Sequence, residues 1–142
     1  MSKLVRDCSV TMAWAFDDED DAYSDGILTL LGQGQGQGQA LAPSIWPLEV
    51  ANTLLVSERR GRLTEAKTLW FIGLLKGLRV TVDALGPDRA FGALLGLARE
   101  HKLSSYDAAY LDLAMREGLP LATRDQKLRL AARHCGVPLA GK

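Results

Sequence analysis

Two spacings of apolar residues along the chain predict which segments are strands and which are helices. Short apolar runs that end at polar or turn residues indicate buried strands, and apolar residues repeated every three or four positions indicate helices. The predicted strands are 4–7, 40–42, 79–82, 119–122 and 137–139. The predicted helices are 9–16, 22–31, 44–60, 64–77, 87–101, 104–118 and 124–134. Strands separated by helices need crossover connections, so we expect an α/β fold with a central parallel sheet of about five strands, covered on both faces.

The predicted helix 104–118 has an apolar side and a polar side. The apolar side is expected to contain Ala108, Leu111, Ala114, Met115 and Gly118. The opposite side carries Ser105, Asp112 and Arg116, which are expected to remain in water. Asp107 falls within the apolar side, where an ionised carboxylate is costly unless something compensates its charge.

Carboxylates from distant parts of the chain are predicted to meet at one edge of the sheet. Asp7 ends the first predicted strand, Asp125 follows the fourth, and Glu49 lies in the helix after the second. Parallel strands end at the same edge, and ligands of such sheets bind there. Asp107, near the start of the helix that leads to the fourth strand, is the expected fourth member. Periodicity alone places Glu49 off the apolar stripe of its helix, at the boundary or the surface.

Two of these carboxylates also have a purely structural interpretation. Ser104 could cap the helix that contains Asp107, in a shortened form of the capping box. Thr123 and Gln126 have the spacing of a second capping box. This box would place Asp125 in the first turn of the last helix, where the helix dipole favours a negative charge. The sequence leaves the structural and the chemical interpretations open for each carboxylate.

Four carboxylates at one edge would raise one another's pKa unless a cation held them. A set of ligands made only of oxygen suits Mg²⁺ or Mn²⁺ better than zinc, and such a cation could polarise a phosphodiester and activate a water. His101 and His134 are isolated in the sequence and lack the His-x-x-x-His spacing of a metal pair. Ser9 and Thr123 each lie two residues from a cluster aspartate and could support a carboxylate or a metal-bound water, or could simply cap helices.

Composition and charge are those of an ordinary globular protein. The 142 residues, of which 47% are apolar and 24% charged, are expected to form a single domain over 1–142. Its stretch 32–39, GQGQGQGQ, is predicted to be a flexible connector and lacks the G-x-G-x-x-G spacing of a phosphate loop. Cys8 and Cys135 form no disulfide pattern, and neither a signal peptide nor a membrane-spanning run is visible, so we expect a cytoplasmic protein.

The distribution of charge is compatible with a polyanionic partner. The formal net charge is zero, but six of the 17 acidic residues lie in 17–25, which leaves the rest of the chain with an excess of six positive charges. Arg124 and Lys127, beside Asp125, could bind RNA phosphates or belong to an ordinary solvated helix face.

Three segments resemble a known family. VRDCSV, APSIWPLEVANTL and LSSYDAAYLDLAMREGLPLATRDQKL resemble, in order and spacing, the PIN-domain nucleases, and most closely the VapC-like toxins of type II toxin-antitoxin pairs. The resemblance covers nearly the whole chain. It implies a three-layer α/β/α sandwich, Mg²⁺- or Mn²⁺-dependent endoribonuclease activity, a homodimer, and inhibition by a cognate antitoxin whose tail lies over the active site.

The resemblance also implies roles for individual residues. The acidic residues that would bind the metal and carry out catalysis are Asp7, Glu49, Asp107 and Asp125. Ser9 and Thr123 match positions at which the family often has a hydroxyl. Arg6 departs from the family, which usually has an apolar residue there, and could strain the first strand or move Asp7. Because all four carboxylates are present, we expect a competent site.

Two other functions are compatible with the sequence. A non-catalytic PIN module that binds RNA or a protein partner would bind metal weakly or not at all. A phosphohydrolase of the haloacid dehalogenase type also places an aspartate after its first strand. That type needs D-x-D, however, and Asp7-Cys8-Ser9 lacks the second aspartate.

Overall fold

A central parallel sheet organises the computed structural model, which describes residues 3–13, 39–78 and 80–141. The strands are β1 (Lys3–Arg6), β2 (Gln39–Pro43), β3 (Val80–Asp83) and β4 (Leu121–Ala122). They pair in the order β3-β2-β1-β4, and every pairing is parallel. The predicted α/β class is therefore confirmed, with four strands. The predicted fifth strand, 137–139, contributes one parallel bridge between Leu139 and Leu121.

Helices connect and flank these strands. They are α1 (Cys8–Ala13), α2 (Trp46–Arg59), α3 (Glu65–Gly77), α4 (Pro87–Arg89), α5 (Leu95–His101), α6 (Ser105–Glu117) and α7 (Gln126–His134). A π-helical turn, Ala90–Leu94, joins α4 to α5, so the predicted helix 87–101 is a composite of three segments. The predicted helix 22–31, the acidic run and the Gly-Gln tract lie outside the described residues, except that Gln39 begins β2. No helix within the described ranges is long and apolar enough to cross a membrane.

The register of the sheet determines where Asp7 lies. Val5 pairs with Leu41 of β2 on one side and with Leu121 of β4 on the other, so β1 is hydrogen-bonded along both edges. Leu4 and Val5 are buried within the apolar core. The backbone N–H of Asp7 donates to the carbonyl oxygen of Ala122 at 3.1 Å, which continues this ladder. Asp7 is thus fixed at the carboxyl end of a central strand.

Helix α6 is buried on more sides than its periodicity predicts. All residues from Ala108 to Ala114 are buried, and Asp112, expected in water, is only 5% exposed. Two arginines compensate its charge, since Arg89 binds both carboxylate oxygens at 2.6 and 2.7 Å and Arg116 binds Oδ2 at 2.9 Å. Met115, expected in the core, is 45% exposed. The assignment of these two side chains from periodicity was therefore wrong: the two arginines allow Asp112 to be buried, and Met115, in the last turn of α6, remains largely exposed.

Arg6 is accommodated without disrupting β1. It pairs with Ala122 in the β1–β4 ladder, and its side chain is completely buried. Its guanidinium lies 5.1 Å from the centroid of the Trp46 ring, a cation–π contact that favours the charged form. Burial lowers the pKa of Arg6 to about 10, which leaves it positively charged at neutral pH.

Candidate acidic site at the sheet edge

Asp7 is the most tightly held of the four carboxylates. It is 4% exposed, and its Oδ1 accepts hydrogen bonds from the Ser9 hydroxyl at 2.6 Å and the Val10 N–H at 3.2 Å. The Thr123 hydroxyl donates to Oδ2. Both hydroxyl residues singled out in the sequence therefore contact Asp7 directly. Donors on both oxygens fix the orientation of this carboxylate.

Thr123 connects Asp7 to Asp125. Its hydroxyl donates to Asp7 and also accepts a hydrogen bond from the Asp125 N–H at 3.0 Å. Asp125 caps α7 itself, since its Oδ1 accepts from the N–H groups of Lys127 at 2.9 Å and Leu128 at 3.4 Å. The predicted capping box of Thr123 and Gln126 was wrong because the helix begins two residues later than that box requires. Asp125 is therefore a helix cap, as its structural interpretation predicted, although as the N-cap residue itself. Only its Oδ1 accepts these two hydrogen bonds, and Oδ2 takes no part in the cap.

Glu49 and Asp107 complete the acidic site from two helices. Glu49 lies in the first turn of α2, and its Oε1 accepts a hydrogen bond from the Tyr110 hydroxyl at 2.5 Å. Asp107 lies in the first turn of α6, where its N–H donates to the capping Ser104 hydroxyl at 3.0 Å. Both carboxylates are half-buried. The contact between Tyr110 and Glu49 was not predicted, although Tyr110 follows Asp107 by three residues and so shares its side of the helix.

Electrostatic interactions link Asp107 to the other three carboxylates. Burial raises the pKa of Asp7 to about 6, and the negative charge of Asp107 adds to this rise. Burial also raises the pKa of Glu49, again with a contribution from Asp107. The pKa of Asp107 is raised by burial and then by Asp125, with Lys127 acting in the opposite direction. Asp107 therefore interacts with each of the other three, and the four predicted residues form a negative cluster in the sense that each is linked to Asp107.

The donor atoms of this cluster suit a hard divalent cation in chemistry and charge. They are all carboxylate oxygens, the class that binds Mg²⁺ or Mn²⁺, and their mutual repulsion is of the kind that a cation relieves. Among the described residues, however, no group of three or more His, Cys, Asp or Glu side chains is already arranged to hold a metal ion.

Basic residues lie next to the cluster. The Arg124 backbone N–H donates to the Ser9 hydroxyl at 3.0 Å, and Lys127 is exposed and close enough to Asp107 to lower its pKa. Arg129 donates from Nη1 to the Thr123 carbonyl oxygen at 2.9 Å. The two predicted RNA-binding residues, Arg124 and Lys127, thus lie beside the acidic site.

Comparisons with known proteins support the fold. No protein-family model matches the chain, and no curated protein matches it. Eighteen chains of solved structures do match. One is the crystal structure of PAE2754 from Pyrobaculum aerophilum, which is 22% identical with a TM-score of 0.67, over 99% of this chain and 87% of that chain. At this identity the similarity establishes a shared fold, and the activity has to be inferred from the acidic site.

Proposed function

We propose that the chain is a metal-dependent endoribonuclease of the PIN-domain type and the toxin of a toxin-antitoxin pair. One observation carries the proposal: carboxylates from four separate segments, at the carboxyl edge of a parallel sheet, are linked electrostatically through Asp107. They are Asp7 after β1, Glu49 in α2, Asp107 in α6 and Asp125 before α7. These four residues would hold Mg²⁺ or Mn²⁺.

Asp7 and Glu49 have distinct parts in this proposal. A bound Mg²⁺ or Mn²⁺ would polarise the phosphodiester and make water a better nucleophile. Asp7 serves as the fixed anchor, because hydrogen bonds hold both of its oxygens. Glu49 is oriented through Oε1 by Tyr110, and its Oε2 is the atom we assign to accept a proton from the attacking water. Asp107 and Asp125 contribute the remaining negative charge.

The proposed substrate and partner depend on charge and on the resemblance. The positive charge of Lys127 acts on Asp107, and the Arg124 backbone contacts Ser9, so both residues are close enough to the carboxylates to bind phosphates of an RNA substrate. The antitoxin, the homodimer and a cytoplasmic location are proposed from the similarity of the sequence segments to VapC-like toxins.

A second candidate function is a non-catalytic PIN module that binds RNA or a protein partner. It is favoured by one observation: within the described ranges no group of three or more His, Cys, Asp or Glu side chains is already arranged to hold a metal ion. Such a module would keep the fold and the basic border but would not bind Mg²⁺ or Mn²⁺ at the acidic site.

Cleavage of a panel of tRNA, rRNA fragments and single-stranded RNA tests the first function. The wild-type chain should cleave RNA in the presence of Mg²⁺ or Mn²⁺, and EDTA should stop the cleavage. Asp107→Asn should cleave RNA at least about 100-fold more slowly, as expected when a catalytic electrostatic group is lost. Asp88→Asn, which changes an exposed carboxylate of α4, is the matched control and should cut normally. A fully active Asp107→Asn would exclude Asp107 from the mechanism.

Metal binding distinguishes the two functions when cleavage is absent. Folded protein, free of antitoxin, that binds Mn²⁺ in calorimetry but cuts nothing would indicate an RNA missing from the panel. Failure to bind Mn²⁺ would favour the binding module. For the toxin assignment, the product of an adjacent gene should suppress cleavage, and cleavage that this product leaves unchanged would count against it.

A further inference from the structure

A cavity beside the acidic site is lined mainly by basic residues, and we refer to it as the basic cavity. It has a volume of about 270 Å³, and its charged residues are Lys102, Lys127 and Glu100. His101 and His134 also line it. Among the described residues around this cavity, two lysines therefore outnumber one glutamate, and the imidazoles add groups that can donate hydrogen bonds.

One face of α7 forms a wall of the basic cavity. Its lining residues follow one another at helical spacings of three and four, so they lie on the same side of the helix. They are Lys127, Leu130, Ala131 and His134. A rise of about 1.5 Å per residue separates the first from the last by about 10 Å along the axis. The basic cavity therefore extends over about two turns of α7.

The basic cavity begins at the acidic site. The Lys127 N–H donates to Asp125 Oδ1 at 2.9 Å, so one hydrogen bond joins the cavity to a carboxylate of the proposed site. The charge of Lys127 also acts on Asp107. At the other end of α7, the centroid of the His134 ring lies 6.2 Å from that of the His101 ring. The cavity therefore leads away from the carboxylates along α7.

Lys102 has an unusual backbone conformation at this cavity. Its φ of 56° and ψ of 43° are left-handed, and no other non-glycine residue in the part of the chain that the structure describes has a positive φ. Glycine is the usual residue where a helix ends in this way, because the left-handed region crowds a Cβ atom. The N–H groups of Lys102 and Leu103 both donate to the Ala98 carbonyl oxygen, which fixes this conformation. A long basic side chain is thus kept at the cavity in a position that favours glycine.

The charges of the basic cavity favour an anion and restrict where it binds. Both lysines are exposed, so their ammonium groups can pair with phosphate oxygens without leaving water. Glu100 and the partial negative charge at the end of α7 oppose an anion near His134. Glu100 Oε2 also lies 3.8 Å from His101 Nε2, which places this carboxylate at the same end of the cavity. We therefore expect the anion nearer to Lys127 than to His134.

We propose that Lys102 and Lys127 bind a phosphate of the RNA strand close to the phosphate that is cleaved. This inference rests on the proposed endoribonuclease function, because it takes the acidic site as the point of cleavage. Nucleotides advance by about 3.4 Å along a stacked strand. A phosphate one to three nucleotides from the cleaved bond therefore fits within the ~10 Å over which the cavity follows α7. In this role both lysines position the substrate and take no part in the chemical step.

Binding of labelled single-stranded RNA to the full chain in EDTA tests the phosphate site in the absence of cleavage. Fluorescence anisotropy at several salt concentrations gives the affinity and its dependence on salt. Loss of one phosphate contact to a single strand should reduce the slope of log K against log salt by about 0.7. We expect this reduction in Lys102→Gln and in Lys127→Gln, with an affinity up to about fivefold weaker at low salt. Lys76→Gln changes an exposed lysine that lines a different cavity, so it is the matched control and should keep the wild-type slope.

The outcomes separate the phosphate site from the nuclease function. A reduced slope in both cavity variants, with the wild-type slope in Lys76→Gln, supports the phosphate site. If the same chain cleaves no RNA with Mn²⁺, only the nuclease function fails. A wild-type slope in Lys102→Gln or Lys127→Gln refutes the phosphate site, and cleavage by the same preparation would leave the nuclease function standing. An equal reduction in all three variants would show an effect of overall charge, and it refutes the phosphate site, as does a folded wild type that binds no RNA.

Discussion

Replacing Asp7 should make the metal-free protein more stable while it removes the proposed activity. Asp7 is almost fully buried, and burial raises its pKa from 3.8 to about 6 in spite of the donors around it. The folded state therefore disfavours the ionised carboxylate. In EDTA at neutral pH, Asp7→Asn removes this buried charge, and we expect its free energy of unfolding to exceed that of the wild type.

The magnitude follows from the pKa difference between the folded and unfolded chain. A pKa change from 3.8 to about 6 destabilises the folded state by ~3 kcal/mol at pH values where Asp7 is ionised in both the folded and the unfolded chain. Between these values the folded state binds more protons, so stability falls as pH rises through this window, and the penalty is absent below it. Asparagine has one oxygen where Asp7 has two, and a weakened hydrogen bond costs about 1 kcal/mol. The expected net gain is about 2 kcal/mol above pH 6.

Urea unfolding followed by circular dichroism in EDTA, at about pH 7.5 and about pH 4, measures this difference. Asp88→Asn is the control, since its exposed carboxylate should change stability by less than about 0.5 kcal/mol. An Asp7→Asn variant that is less stable than the wild type by the same amount at both pH values would refute the reasoning. In saturating Mn²⁺ the wild type should instead be more stable than Asp7→Asn. A ligand at 100 times its Kd adds about 2.7 kcal/mol to the free energy of unfolding of the protein that binds it.

Two further variants test contacts on α6. Tyr110→Phe removes the hydrogen bond to Glu49 and should raise the Mn²⁺ concentration for half-maximal cleavage about tenfold, and an unchanged Mn²⁺ dependence would show that Tyr110 does not position Glu49. Burial alone would raise the pKa of Asp112, but Arg89 and Arg116 lower it, so its contribution to stability is present at neutral pH and is lost as pH falls through its lowered pKa. Asp112→Asn should cost about 2 kcal/mol in urea unfolding at neutral pH, and a loss below about 0.5 kcal/mol would show that this cluster is not stabilising.

The fold could be predicted because its main determinants are local. The short apolar runs gave the four strands of the sheet, and the helices between them required parallel pairing. Prediction failed where burial depends on a distant partner. Periodicity predicts that Asp112 is a surface residue. It is buried because Arg89, 23 residues earlier and in another helix, donates hydrogen bonds to its carboxylate. The spacing of residues within 104–118 could not predict that contact.

The same distinction applies to the acidic site. The positions of Asp7 and Asp125 follow from the ends of β1 and β4, so both could be placed at one edge from sequence. The contact between Tyr110 and Glu49 could not, because it joins residues 61 apart on two different helices. A strand end is a local feature, whereas the contact between two helices depends on the whole chain.

Stability and metal binding are expected to be coupled at the acidic site. Burial and the charge of neighbouring carboxylates raise the pKa of Asp7 and Asp107, so their ionised forms oppose folding of the metal-free protein. A hard divalent cation would compensate that charge, and because such a ligand binds only the folded chain, it would stabilise the wild type more than any variant that lacks one of the carboxylates.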